Sequence, residues 1–247
     1  MSTPSVQRVL VVLPAWNEDQ SLPAVLDEIR EHLPDVGVLV VNDGSADATS
    51  AVARRHGVPV LDLPFNLGVG GAMRAGFRYA IEQRYDVVVQ VDADGQHDPR
   101  DVPRIVERLA DADVVIGARF AGTGDYDVRG PRRWAMQVMA GTISRMAGTT
   151  LTDTTSGFRG AGPRAVRLFA VHYPAEYLGD TIESLIIALR SGLTVEQIGV
   201  SMRDRTAGRP SQSPVKAAVY LLRACLALVI SLTRRRTPIR PESSVVV

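Results

Sequence analysis

The residues with the clearest chemical potential are Asp92 and Asp94, separated by a single alanine. Two carboxylates this close repel each other unless a cation or a proton is shared between them. A hard divalent ion such as Mg2+ or Mn2+ relieves that repulsion by taking oxygen ligands. It typically uses one or two carboxylates and keeps its other positions for water or diphosphate oxygens. The same pair is also ordinary turn chemistry, because aspartate favours turns and helix caps. Its meaning therefore depends on the elements that hold it. The neighbouring His97 reads as a turn residue rather than a ligand, and Trp16 as a residue packed beneath the first loop.

An apolar run at 87–91 leads directly into Asp92, and similar runs at 9–13 and 36–41 end at Pro14 and at Asn42-Asp43-Gly44-Ser45. Such runs, bounded by turn residues, are expected of parallel strands buried on both faces. Between the first two, Leu22, Val25, Leu26, Ile29 and Leu33 share one face of a helix over 21–33. Further helices are predicted at 47–56, 68–83 and 99–109, with short strands at 58–63 and 114–117. Strands alternating with helices specify an α/β fold with a mainly parallel central sheet flanked by helices. In such sheets ligands bind at the carboxyl ends of strands. Asn17-Glu18, Asp43 and the Asp92–Asp94 pair all fall there.

Gly68-Val-Gly-Gly71 is not a dinucleotide fingerprint: the sixth position from Gly68 is Met73, and the run follows the third strand rather than the first. It reads as a turn that lets a helix start close to the sheet. The second half is less regular, with a polar loop at 122–133, a helix at about 134–146 and a polar turn at 152–160. A helix at 180–191 and a late strand at 195–202 follow.

Residues 1–209 read as one domain, and 210–214 as a linker to a tail of different character. Residues 217–232 are almost entirely apolar, interrupted by Arg223. As a helix they would extend about 24 Å, short of the ~30 Å hydrocarbon core of a bilayer. Lys216 and Arg234-Arg235-Arg236 bracket the run, so a C-terminal helix lying in the membrane interface is expected, not a span. Residues 203–240 carry eight arginines and one lysine against one aspartate, a net +8, leaving −7 elsewhere in a chain of total charge +1. A basic tail on an acidic body suits an anionic membrane surface.

Aromatic residues make up only 5% of the chain, too few for a stacked nucleic-acid surface, so no nucleic-acid partner is expected. A single cysteine, Cys225, excludes an internal disulfide framework and a cysteine-rich metal site. Residues 1–8 are too short and polar for a signal peptide. The expected location is the cytoplasmic face of the membrane, peripherally attached.

Four motifs occur in order: Pro14-Ala-Trp-Asn-Glu18, Val41-Asn-Asp-Gly-Ser45, Asn66-Leu-Gly-Val-Gly-Gly-Ala72 and Asp92-Ala-Asp-Gly-Gln-His-Asp-Pro99. Together the set resembles the family 2 glycosyltransferases of GT-A fold. Gly117-Ala-Arg119, the arginine-bearing loop at 129–133 and Thr154-Thr-Ser-Gly-Phe-Arg159 make it similar to the dolichyl- or polyprenyl-phosphate mannosyl- and glucosyltransferase branch. The likeness covers about residues 9–205.

The resemblance implies a role for each matching position. Pro14, Ala15, Asn17 and Glu18 would line the nucleotide pocket, with Asp43 on the base or ribose. Asp92 and Asp94 would hold Mg2+ or Mn2+ and the diphosphate, with Gln96 completing the metal shell. Arg119 and one of Arg132 or Arg133 would face phosphate groups, which suit the planar fork of arginine. The partners implied are a nucleotide-sugar donor, GDP-mannose or UDP-glucose, a polyprenyl-phosphate acceptor, and a membrane partner protein or the tail to present the lipid. Of the carboxylates in the acceptor half, Asp153, Asp180 and Glu183, none is singled out by sequence. The rival readings are transfer to a sugar or protein hydroxyl, a nucleotidyltransferase, and a non-catalytic membrane-associated scaffold.

Overall fold

The computed structural model describes residues 7–119, 140–174 and 180–203. Arg132 and Arg133 with their loop at 122–133, the start of the 134–146 helix, and the tail with its apolar segment lie outside the described residues. The first half alternates strictly: β1 (Val9–Ala15), α1 (Leu22–His32), β2 (Gly37–Asn42), α2 (Thr49–Arg55), β3 (Val60–Asp62), α3 (Gly68–Glu82) and β4 (Val87–Gln90). Then come α4 (Val102–Arg108), β5 (Val114–Ala118), helical residues 140–147 (α5), β6 (Arg159–Ala161), α6 (Pro163–His172), α7 (Asp180–Arg190) and β7 (Val195–Gly199).

The strands form one sheet in the order β3-β2-β1-β4-β6-β5-β7. Strand β1 runs parallel to β2 and β4, β2 to β3, and β5 to β7. Both faces of the sheet are covered, which is why β1 and β2 read as unbroken apolar runs. Leu10 and Val12 join a core with α3, α6 and α7 on one side. Val11 and Leu13 join a second core with α1, α2 and α4 on the other. The two-residue period of a strand thus feeds two separate layers.

Two expectations need correction. The helix predicted at 99–109 is a short 3-10 turn, Pro99–Asp101, followed by α4; the Asp98 carboxylate caps the turn by accepting from Arg100 N–H. The polar turn at 152–160 runs into β6, which lies antiparallel between β4 and β5. A three-residue Arg-Gly-Ala strand has no alternation to read; its pairing on both edges creates it. Helix α6, which is not among the expected elements, buries Ala165, Val166 and Phe169. That spacing is helical once Pro163 is taken as the first helical residue.

Candidate active site

The carboxylate pair stands where β4 ends, and the loop that carries it is braced from within. Asp92 N–H donates to Nδ1 of His97 at 3.0 Å. Because Nδ1 accepts, the ring proton sits on Nε2, which lies 3.5 Å from Asp92 Oδ2. The imidazole is buried and stacks on Phe158 at 4.7 Å. The ring thus braces the loop that carries Asp92. Gln90 Nε2 donates to Asp92 Oδ1 at 3.1 Å from the strand itself. Asp94 Oδ1 accepts the Gln96 N–H at 3.0 Å, closing a tight turn around Gly95.

Asp92 keeps about a third of its side chain exposed, 34%, so its oxygens remain reachable from the space in front. That space is a cleft of about 340 Å³ to which six segments contribute. Pro14, Ala15, Trp16 and Glu18 come from the end of β1 and the loop after it, and Asp43 from the end of β2. Asn66, Gly68 and Gly70 bring the start of α3, and Asp92 and Asp94 the end of β4. Thr155, Gly157, Asp180 and Thr181 close the far side. Gly157 lets the walls approach closely there: a Cβ on it would lie 3.0 Å from Gln90 Nε2 and 3.3 Å from Asp92 Oδ2, so both side-chain ends would have to shift.

Sequence-predicted residues divide into those facing the cleft and those acting behind it. Asn17 is not part of the lining. It adopts φ 57°, accepts Ala46 N–H at 2.8 Å through Oδ1, and donates its own N–H to Ser45 Oγ at 2.9 Å. It therefore staples the β1–α1 loop to the β2–α2 loop. Asp43 lines the cleft, but both its oxygens accept backbone N–H groups at the start of α3: Leu67 at 2.7 Å and Gly68 at 2.8 Å. Burial pushes its carboxyl up from the ordinary value, against the pull of those two donors.

Gln96 and Arg119 are also outside the lining. Arg119 Nε contacts Met202 Sδ at 3.2 Å. Trp16 departs from expectation in the other direction: it is 43% exposed and lines the cleft instead of packing beneath the loop.

Two residues that shape the cleft were named from the sequence without a role. The Arg159 guanidinium is fully enclosed and bridges two segments. Nε donates to Ser156 O at 2.7 Å and Nη2 to Thr154 O at 2.6 Å, while Nη1 donates to Thr181 O at 2.5 Å and Ser184 Oγ at 3.1 Å. It thereby ties the Thr155–Gly157 wall to the start of α7. The second is Asp180, which α7 places in the cleft. Burial pushes its carboxyl up, Arg159 pulls it down, and the charge of Asp92 adds to the upward push. Its candidacy was visible only as one of three carboxylates.

Asp92 and Asp94 form a hard-oxygen donor pair on a ligand-accessible cleft, which fits Mg2+ or Mn2+ completed by diphosphate and water. Among the described residues no group of three or more His, Cys, Asp or Glu side chains converges as an all-protein metal cage. A divalent ion held by the pair would supply the positive charge that a diphosphate needs at this point of the cleft.

Comparison with known proteins identifies the family of the chain. The model of glycosyl transferase family 2 matches residues 10–168. The chain is 35% identical over 216 residues to the undecaprenyl-phosphate mannosyltransferase of Micrococcus luteus, covering 83% of this chain and 88% of that protein. It is 30% identical over 227 residues to the polyprenol monophosphomannose synthase of Mycolicibacterium smegmatis, covering 87% and 85%. Among solved structures, glucosyl-3-phosphoglycerate synthase of Mycobacterium tuberculosis, crystallised with Mn2+, UDP and glucosyl-3-phosphoglycerate, superposes with a TM-score of 0.70. That match spans 91% of this chain and 80% of that one at 22% identity, a likeness of fold: the GT-A architecture.

Proposed function

The chain belongs to glycosyl transferase family 2, and on that footing we propose that it transfers a hexose from a nucleotide-sugar to the phosphate of a polyprenyl lipid, inverting the anomeric carbon. The donor is GDP-mannose or UDP-glucose. The observation that carries this reading is the placement of Asp92 and Asp94 on one cleft with the β1 loop, the start of α3 and the start of α7. The relatives named for undecaprenyl-phosphate and polyprenol substrates support the acceptor class.

In this reading Pro14, Ala15 and Glu18 border the nucleotide, and Asn17 and Asp43 hold the loops that form its seat. Asp92 and Asp94 hold Mg2+ or Mn2+, which when bound takes up charge on the departing nucleoside diphosphate. Gln96 orients Asp94 through its backbone N–H. Arg119, with Arg132 or Arg133, receives the acceptor phosphate. A phosphomonoester has its second pKa near ~6, so its attacking oxygen is already anionic at neutral pH and no general base is required. Residues 1–209 form the catalytic domain, and the tail at 210–247 keeps it on the cytoplasmic face of the membrane. Among the described residues no helix is long and apolar enough to cross a bilayer.

A second reading, transfer to a sugar or protein hydroxyl, is favoured by one observation: Asp180 lies in the cleft with its carboxyl pushed up by burial, as a general base would. The deciding experiment incubates labelled donors with Mn2+ or Mg2+, with and without undecaprenyl phosphate, and extracts with organic solvent. Lipid-soluble product that needs the lipid phosphate, and that disappears in Asp92→Asn and Asp94→Asn, supports the proposal. Replacing Arg132 and Arg133 together should abolish lipid glycosylation while donor binding survives. Label that remains in the aqueous phase with every donor would overturn the lipid-phosphate acceptor.

A further inference from the structure

The loop carrying Asp92 and Asp94 is braced on its outgoing limb by a three-residue segment that follows β7 and that no motif singles out. Ser201 N–H donates to Asp101 Oδ2 at 3.0 Å. Met202 forms an isolated antiparallel bridge with His97. Arg203 N–H donates to Gln96 O at 2.9 Å. Three successive residues thus bond to positions 96–101, immediately downstream of the pair.

The Arg203 side chain extends this contact to a third element. Its Nη1 donates to both oxygens of Glu28 on α1, at 2.8 and 2.7 Å, and its Nη2 lies 3.0 Å from Asp98 Oδ2. Asp98 is buried and also takes Arg100, through both the backbone N–H and the guanidinium. Arg203 and Glu28 are each about one-third exposed, 34% and 37%, and neither lines the cleft. Their contacts serve loop placement rather than ligand contact. A planar fork is suited to this task because it serves carboxylates on two different elements at once.

We propose that Ser201–Arg203, locked to α1 through the Arg203–Glu28 pair, is a positioning strap that sets the spacing of the Asp92 and Asp94 carboxylates for the metal–diphosphate clamp. The inference rests on the assignment of Asp92 and Asp94 to that clamp. The strap fixes the backbone of Gln96 and His97; Gln96 N–H in turn holds Asp94 Oδ1, and the His97 ring accepts the Asp92 backbone N–H at Nδ1. Arg203 is therefore a positioning residue acting through two intermediates. Groups that orient metal-binding side chains typically contribute 10–100-fold to metal affinity.

The test measures Mn2+ binding directly by the electron paramagnetic resonance of free Mn2+, with GDP and in parallel with UDP, in the full-length wild type, Arg203→Met and Glu28→Gln. Expected are a loss of about tenfold or more in Mn2+–nucleotide affinity for Arg203→Met and a smaller loss for Glu28→Gln. Arg203→Lys, which can hold one carboxylate but not both, should fall between Arg203→Met and wild type. Thermal melts run alongside. Wild-type Mn2+ affinity in both variants, with or without a lowered Tm, overturns the strap and leaves Arg203 a structural brace only. If Arg203→Met does not fold, Glu28→Gln decides alone, because it leaves the Arg203–Asp98 contact in place. Failure of the wild type itself to bind Mn2+ with either nucleotide would instead refute the clamp, a distinguishable result.

Discussion

Replacing Arg159 by methionine isolates the bridge between the two walls of the cleft, since methionine fills similar apolar space and removes every donor. The wild-type guanidinium makes four hydrogen bonds, three of them to backbone carbonyls at 154, 156 and 181 and one to Ser184 Oγ. Each orphaned buried acceptor costs about 1 kcal/mol or more. Asp180, whose charge Arg159 favours, would lose its buried counter-ion as well. Breaking a buried charged network from one side generally costs about 3–5 kcal/mol. The guanidinium's own burial, which pulls its pKa down, offsets part of this, so the lower end of about 3 kcal/mol is expected.

With a urea slope of about 3 kcal/mol/M, at the upper end for a chain of this size, the unfolding midpoint should drop by about 1 M. Donor KM should rise in parallel, because Thr155, Gly157 and Thr181 line the cleft. Arg159→Lys should recover only part of the loss, since one ammonium cannot serve both segments. A midpoint shift below about 0.3 M at unchanged slope would refute the bridge as a stabilising element.

Two aspartates should show opposite pH behaviour. Asp98 is held well below the usual carboxylate range, first by Arg100 and then by Arg203; its contribution is present above the unfolded value near pH 4 and is lost as pH falls towards the folded one. The Tm gap between wild type and Asp98→Asn should therefore narrow below pH 4, and a gap constant from pH 3 to 7 would count against the network. Asp43 is pushed up by burial, so the pH-linked part of its contribution is present below the unfolded value and is lost as pH rises through the folded value, while its two backbone hydrogen bonds persist. Asp43→Ala should cost about 1–3 kcal/mol at pH 7 by leaving Leu67 and Gly68 N–H without their acceptor; denaturation at pH 7 checks it. Asp180→Asn separates the two acceptor classes: transfer to a lipid phosphate should persist within about tenfold, whereas transfer to a hydroxyl should fall by about 100-fold or more.

The outline of the fold could be read from the chain because burial on both faces leaves a continuous apolar signature. Strands β1, β2 and β4 and helix α1 fall close to the places their periodicity indicates. Asp92 and Asp94 likewise announced themselves, because a short-range carboxylate repulsion at a strand end is a local property. What stayed hidden depends on partners distant in sequence. Strand β6 exists only through pairing with β4 and β5, and Asp43 holds the start of α3 from 24 residues away. Arg159 reaches Ser184 across 25 residues, and Arg203 reaches Glu28 across 175.

The sequence by itself therefore determined the layered architecture, the carboxylate pair and the end of the sheet where it sits, since each rests on local spacing and burial. Only the tertiary structure decided which groups brace that pair, which carboxylate faces it and which motif residues stand behind the cleft. Hydrogen bonds form at about 3 Å between atoms whose separation along the chain is unconstrained, so no spacing rule could have foretold them.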